Sequence, residues 1–430
     1  MPSPRGPMLL LALLGVPALV LLPGLVPGAS IASSTSPPPD LPAGPGAPVA
    51  GQAQAPEPEV LYPDLAAKAP PLSAAAAVLM DAETGALLYA RRPHQRRPPA
   101  STTKIMTTLL ALEYGDLDAQ VTVSPRAAGT PGSSMGIRAG ERYRLLDLLH
   151  GVMLPSGNDA AVAVAEHVSG SVGRFVALMN QRARQLGMTR TWFANPHGLT
   201  HPGHLTTAYD LALLTRAAMA QPLFAQLGCT RQARVCELES GRALTLSNTN
   251  RLLWSYAYVE AGKTGTTSAA GRCLVVVASR GGHRLIAVLL DAPNRWQDAR
   301  RLLDWGFETF RPVIAGRRGE RVARIEVRGG TAPAVEAVLA GDLKTVVPRQ
   351  GRPRLELRPL LPGPVDAPVY GRQTLGRVEL WVDGRPVAGV DAVALREVGA
   401  LTPVRWAVSR LLALLSWLRE PWWLPAAPGR

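Results

Sequence analysis

The order of hydrophobic patterns predicts an α/β protein of the α+β kind, with one antiparallel sheet packed against a helical cluster and a small β-rich domain after it. Three observations predict it. Two hairpin patterns lie near the two ends of residues 59–312, the segment between them changes to the helical period, and beyond Arg311 the apolar runs become short and strand-like around turn residues. A length of 430 residues and 47% hydrophobic content suffice for a conventional core and two or three domains.

Taken in order, residues 8–22 form an apolar run behind Arg5 and ahead of Gly28-Ala29-Ser30, the plan of a secretory signal peptide over residues 1–30. An uncleaved N-terminal anchor is the other reading, which Pro17 and Pro23 disfavour. Residues 31–58 are Pro, Ala, Gly and Ser with little to bury, and read as a linker. In the first hairpin, apolar runs at 75–80 and 86–89 flank Asp81-Ala82-Glu83-Thr84-Gly85. In the second, runs at 274–279 and 285–290 flank Arg280-Gly281-Gly282-His283. Between them Ile105, Met106, Leu109, Leu110 and Leu112 are spaced for one buried helical face, and 160–168, 174–186 and 209–220 read the same way. Residues 300–310 are expected to form a closing helix over the sheet. The β-rich domain is expected over 313–400, from strand patterns at 324–327, 354–357 and 378–382 with turns at Gly329-Gly330 and Asp383-Gly384. In the tail, 401–430, Arg405, Ser409, Ser416 and Arg419 gather on one side of a helical projection. Val404, Val408, Leu411, Leu415, Trp417 and Leu418 lie elsewhere. Arg405 and Arg410 interrupt an apolar stretch too short to span a bilayer, and Trp406, Trp417, Trp422 and Trp423 suit its interface. The tail therefore reads as associating with a membrane surface; a helix packed on the second domain is the competing reading.

The net charge of +14 points to an anionic neighbourhood. No aromatic-basic nucleic-acid motif accompanies it, so no nucleic acid partner is expected. Cys229 and Cys236 either close a short disulfide loop, as an oxidising compartment would permit, or remain free buried thiols; Cys273 lies in an apolar strand pattern and packs.

Among 46 basic residues only four are lysines: Lys68, Lys104, Lys263 and Lys344. Unlike arginine, lysine can lose its proton and act as a compact point charge. Lys104 closes Ser101-Thr102-Thr103-Lys104, and Lys263 opens Lys263-Thr264-Gly265, with Ser156-Gly157-Asn158 between them. Three residues apart on a helix, Ser101 and Lys104 share a face roughly 5 to 6 Å apart at Cβ, which puts a hydroxyl within reach of an amine. For Lys104 to act as a base its pKa must fall from ~10.4 to about 7, a differential cost of roughly 4 to 5 kcal/mol to the ammonium. Burial and a second nearby cation, for which Lys263 is the candidate, have effects of that size.

The S-x-x-K, S-x-N and K-T-G motifs, about 55 and about 107 residues apart, resemble the penicillin-recognising serine acyl-transferases. The longer runs Pro99-Ala100-Ser101-Thr102-Thr103-Lys104-Ile105-Met106-Thr107, Leu154-Pro155-Ser156-Gly157-Asn158-Asp159-Ala160, Asn195-Pro196-His197-Gly198-Leu199 and Gly262-Lys263-Thr264-Gly265-Thr266 look like the D-alanyl-D-alanine carboxypeptidases. That resemblance covers roughly residues 59–310 and continues more weakly through Ala367-Pro368-Val369 ahead of Gly376. It implies a serine β-lactamase/transpeptidase-like catalytic domain, an exported enzyme on the extracytoplasmic face of a bacterial membrane, and a peptidoglycan stem pentapeptide as substrate. β-Lactams would be acylating inhibitors, with neither metal nor organic cofactor. Ser101 would attack the carbonyl between two D-alanines with Lys104 accepting its proton, and Ser156 would pass that proton toward the leaving amine. Lys263 and Thr264 would hold the terminal carboxylate and Asn158 would position Lys104 and the substrate amide. The N–H groups of Ser101 and Thr266, the latter beside Gly265 on the strand after K-T-G, would form the oxyanion hole.

Other residues near the motifs read more plainly. His197, His201 and His204 lie among Pro196, Gly198, Pro202 and Gly203, a loop rather than a preformed metal face, and His197-Gly198-Leu199 is expected to support the rim. Arg295 is read as solvated surface in preference to a carboxylate ligand, and Glu166 and His167 have no assigned task. The motifs also fit an endopeptidase acting on D-alanyl cross-links. A serine β-lactamase lacks a recognisable deacylating carboxylate here, and a non-catalytic wall-binding protein is opposed by the intact motif residues.

Overall fold

The computed structural model describes residues 59–404 together with 407, 408, 411 and 415. The expected signal peptide (1–30) and linker (31–58), and most of the 401–430 tail, lie outside the described residues.

Strands β1 (Ala76–Asp81), β2 (Leu87–Arg91), β3 (Val259–Thr267), β4 (Gly271–Arg280) and β5 (His283–Leu290) form a five-stranded sheet in the order β2-β1-β5-β4-β3. Its contacts are antiparallel, and the two hairpins join where β1 meets β5, Ala76 opposite Leu290 and Asp81 opposite Leu285. The β1–β2 turn is shaped by Asp81, whose carboxylate accepts hydrogen bonds from Thr84 N (2.7 Å) and Thr84 Oγ1 (2.6 Å). Gly281 and Gly282 both have positive φ (59° and 79°), as a two-residue hairpin loop requires.

Side chains alternate between the faces of each strand, yet nearly every position is buried because both faces are covered. Val78, Met80, Val275, Val277, Ile286 and Val288 enter the core shared with the helices Lys104–Tyr114, Leu145–Met153, Asn158–Ser169, Val172–Gln185 and Ala208–Ala218. Leu79, Leu274, Val276, Leu285 and Leu289 meet the helix Arg295–Thr309 on the other face. A Cβ on Gly306 would lie 2.6 Å from Leu79 Cδ2, so glycine sets how closely that helix approaches the sheet. The helix begins at Arg295 rather than 300. Its first turn, Arg295-Trp296-Gln297-Asp298, has one apolar residue and no apolar period; Asp298 there accepts from Ser73 N (2.9 Å), Ser73 Oγ (2.7 Å) and Ala74 N (3.1 Å), partners no local pattern reveals.

Strand Phe310–Gly316 pairs with Leu343–Pro348, and a six-stranded sheet runs in the order Leu355–Leu360, Thr374–Val382, Arg385–Ala394, Ala334–Leu339, Arg321–Arg328, Val365–Asp366. The Asp383-Gly384 turn has φ of 48° and 82°. This β-rich part has a core of its own, including Ile325, Val335, Val378 and Leu380. Val346 instead joins the core beneath Arg295–Thr309, and Arg349 N and Nε donate to Thr309 O (2.8 Å) and Phe307 O (2.7 Å).

The reading of Cys229 and Cys236 as a bridge or as buried thiols needs correction: both are free and exposed. Cys229 ends helix Pro222–Cys229 and Cys236 ends strand Gln232–Cys236. The residues leading to Cys236 are drawn out in a ladder with strand Ala243–Ser247 instead of turning back toward the helix end as a closed loop. Cys273 is free and buried in β4, as the strand pattern predicts.

Candidate active site

Ser101 lies on one turn of 3-10 helix, Ala100–Thr103, that runs directly into helix Lys104–Tyr114. The turn begins with strain, since Ala100 has φ +49°, a region that disfavours a side chain. Gly198 (φ +93°) packs against that peptide so closely that a Cβ there would lie 1.9 Å from Ala100 O and 2.9 Å from Ser101 N. The Asn195-Pro196-His197-Gly198-Leu199 loop is pinned in place by Thr107 Oγ1, which donates to Pro196 O (2.5 Å), and by Asn195 Oδ1, which accepts from Gly198 N (2.7 Å).

The Lys104 amine is fully buried, with Ser101 Oγ at 3.0 Å, Asn158 Oδ1 at 2.7 Å and His197 O at 2.8 Å. Burial first, and then the Lys263 cation, hold its pKa well below the usual lysine range; Asp159 partly offsets them. A neutral amine has two N–H groups and one lone pair. Asn158 Oδ1 and His197 O can only accept, so they take both N–H groups and leave the lone pair to the Ser101 hydroxyl. Asn158 keeps that orientation because its Nδ2 donates to Pro131 O (2.7 Å).

Ser156 lies between helices Leu145–Met153 and Asn158–Ser169, buried and at φ +67°, a second strained non-glycine residue. Its Oγ accepts from Lys263 Nζ at 2.9 Å. K-T-G occupies β3, an edge strand, with Gly265 opposite Cys273 of β4. A Cβ at Gly265 would come to 3.0 Å from Ser101 N, Ala100 Cβ and Pro99 O, so glycine lets the strand approach the serine turn. The Thr264 and Thr249 hydroxyls share a 2.6 Å hydrogen bond. Burial, then Arg295, push the Lys263 pKa down to about 7.

The fold thus brings Ser101, Lys104, Ser156, Asn158, Lys263, Thr264, Gly265 and Thr266 to one place across sequence separations that no local pattern encodes. Arg295 corrects the surface reading. It is partly buried, and its Nη1 donates to Gly265 O (2.9 Å), Thr266 Oγ1 (3.0 Å) and Cys273 O (3.1 Å), with Trp296 under its guanidinium at 4.6 Å. The sequence carried no signal for this beyond an arginine shortly ahead of the expected closing helix. Asp159, inside the second motif run, is another structural member of the site: it accepts from Ser134 Oγ (2.5 Å), Met135 N (2.8 Å) and Gly136 N (2.9 Å) and so holds the loop beside Asn158. The three histidines serve the loop. His197 Nδ1 accepts from Leu199 N (3.2 Å) and His201 Nδ1 from Gly203 N (3.1 Å), while burial and nearby cationic groups lower His197 to about 3 and burial lowers His204 to about 4. Glu166 accepts from Ser124 Oγ (2.6 Å), tying its helix to a neighbouring turn.

Residues 64–294 match the family model described as D-alanyl-D-alanine carboxypeptidase, and 307–400 match that of the penicillin-binding protein 5 C-terminal domain. The chain is 32% identical over 342 residues to D-alanyl-D-alanine carboxypeptidase DacF of Bacillus subtilis, covering 76% of this chain and 87% of the relative. It is 35% identical over 347 residues to DacD of Escherichia coli, covering 77% and 88%. Among solved structures, penicillin binding protein 5 from Haemophilus influenzae superposes with a TM-score of 0.69 at 31% identity, covering 77% of this chain and 98% of that one.

Proposed function

This chain belongs to the peptidase S11 family and is a serine D-alanyl-D-alanine carboxypeptidase, and we propose from that membership how its residues divide the work. The Ser101 Oγ attacks the carbonyl of the penultimate D-alanine while Lys104 Nζ takes its proton. The resulting oxyanion is held by the N–H groups of Ser101 and Thr266, donors of a kind worth about 3 to 4 kcal/mol of barrier. As the C–N bond breaks, the proton on Lys104 reaches the departing nitrogen by way of the Ser156 hydroxyl, leaving an ester on Ser101 that water hydrolyses. Lys263 and Thr264 bind the terminal carboxylate, Asn158 orients Lys104 and the substrate amide, and Gly265 admits the strand to the serine turn. Arg295 steadies Thr266 from behind and shares in the positive field at the carboxylate. Burial and Arg295 hold the Lys263 pKa down to about 7, and an arriving carboxylate favours its ammonium form.

The observation that carries this reading is the buried Lys104 amine, 3.0 Å from Ser101 Oγ and held by two groups that can only accept, Asn158 Oδ1 and His197 O. Incubating muropeptides with the protein and with Ser101→Ala tests it by mass. Loss of one terminal D-alanine and covalent penicillin labelling are expected from the unaltered protein and neither from the variant; labelling that persists in the variant rejects Ser101. Conversion of cross-linked dimers to monomers as the main product would make the enzyme an endopeptidase.

As a penicillin-binding, peptidoglycan-processing enzyme the protein works on the cell wall. The finer placement, exported and held at the extracytoplasmic membrane face, is part of the proposal, as is the division into a signal peptide (1–30), linker (31–58), catalytic domain (59–312), β-rich domain (313–400) and tail (401–430). Support for the tail comes from Val404, Val408, Leu411 and Leu415, described residues in helical conformation whose apolar side chains are all exposed and recur at one-face spacing. Among the described residues no helix is long and apolar enough to cross a membrane. Anionic vesicles should retain the full chain and release a version ending at Ala400; equal retention removes the tail from the proposal.

A further inference from the structure

We propose that His204 is a positioning residue for the nucleophile, holding the Ala100–Ser101 peptide through Thr103 so that the Ser101 N–H keeps its aim. His204 is buried, far from Ser101 in sequence, and touches neither Ser101 nor Lys104 by hydrogen bond. Its ring is seated edge-on against Phe193, with centroids 5.7 Å apart. Phe193 is fixed in turn by Asn180, whose Nδ2 donates to Phe193 O (2.8 Å) and whose Oδ1 accepts from Phe193 N (2.8 Å).

The hydrogen bonds around the ring fix its tautomer. Ala194 N lies 3.3 Å from His204 Nδ1 and can only donate, so Nδ1 is the acceptor and Nε2 carries the proton. Nε2 lies 2.9 Å from Thr103 Oγ1 and donates to it. The Thr103 hydroxyl then has its own proton to give, and Ala100 O accepts it at 2.9 Å. Ala100 O and Ser101 N are the two ends of one planar peptide, so a tilt at the oxygen turns the N–H by the same angle. That peptide follows a residue at φ +49°, a conformation that persists only where its surroundings hold it. Gly198 presses on one side of it, and the Thr103 hydroxyl, oriented by His204, secures the oxygen.

The inference rests on Ser101 as the acylated residue. Stopped-flow acylation of the purified full chain by a fluorescent penicillin separates the dissociation constant of the noncovalent complex from the acylation rate constant. Glutamine places a donor and an acceptor about as far apart as the imidazole nitrogens, so His204→Gln should acylate within about twofold of the unaltered protein. His204→Leu and Thr103→Val should each slow acylation about tenfold with affinity within about twofold, because the lost quantity is donor aim rather than binding. Combined, they should cost no more than about tenfold, since both interrupt one relay. Losses that multiply toward a hundredfold, a glutamine variant as slow as the leucine variant, or a loss confined to affinity would overturn the proposal. If His204→Leu does not fold, His204→Asn, whose amide is one methylene short of Thr103, takes its place: an asparagine variant about as slow as Thr103→Val beside a normal glutamine variant supports the relay, and any other pairing overturns it. No acylation of Ser101 in the unaltered protein would remove the nucleophile assignment together with this inference, whereas acylation indifferent to all the variants removes only the inference.

Discussion

Lys263 carries a cost in stability that its proposed role explains. Its pKa falls from 10.5 to about 7 through burial and the neighbouring Arg295. Between pH 7 and 10.5 the unfolded chain therefore binds a proton that the folded chain does not, and stability rises with pH through that window. At neutral pH the fold bears the penalty. Lys263→Met should accordingly raise the melting temperature at pH 7, by an equivalent of roughly 1 to 4 kcal/mol, and the gain should shrink toward pH 10.5. On the proposed assignment the same variant should also lose D-alanine release, because nothing would then meet the terminal carboxylate. Melts that do not differ at pH 7 would mean that the ammonium is well solvated in the fold. Lys104 has a shift of the same sign, and in the proposed mechanism the low pKa is the working property, since only the neutral amine can take the serine proton.

Among the elements, the serine turn and the Asn195-Pro196-His197-Gly198-Leu199 loop meet at a distance only glycine permits. In Gly198→Ala the new Cβ would fall 1.9 Å from Ala100 O, and φ +93° is costly for any side chain. Since backbone rather than a flexible side chain stands in the way, the turn or the loop must move. The expected result is destabilisation of roughly 2 to 4 kcal/mol by thermal melt, together with penicillin acylation at least about a hundredfold slower. Acylation at the normal rate would show that the loop is free to retreat without disturbing Ser101. The turn itself was legible from Ser101-Thr102-Thr103-Lys104, because a three-residue spacing on a helix is a local property. The His197 carbonyl and Gly198 were legible only as a family-like loop, because their roles depend on backbone atoms and close approach, which residue identity does not display.

At the scale of the whole molecule, the β-rich part and the catalytic part are joined by apolar packing with polar contacts at its edge. Val346 is fully buried in the core under helix Arg295–Thr309, and Tyr62 Oη donates to its carbonyl at 2.9 Å. Lys344 reaches Glu83 of the β1–β2 turn at 3.5 Å, where both side chains are substantially exposed. Val346→Ala should therefore cost roughly 1 to 2.5 kcal/mol by chemical denaturation, and Lys344→Ala no more than about 0.5 kcal/mol. The reverse order would make the ion pair, rather than the core, the joint. Of the four lysines, the two in motifs are buried beside Ser101 and Ser156, whereas Lys344 makes a surface contact.

Sequence by itself determined what depends on near neighbours. The 3.6 period identified the helices at 104–114, 158–169 and 172–185, paired glycines identified the β4–β5 hairpin, and the three motifs picked out the serines, lysines and asparagine that the fold gathers in one place. Only the tertiary structure decided what depends on chain closure. It drew Arg295 out of the surface and behind Thr266, left Cys229 and Cys236 free and exposed, and set His204 beneath Thr103. The lysine pKa values belong there too. An amine becomes a base by leaving water and facing another cation, and both the desolvation and the cation come from segments that meet only when the sheet closes.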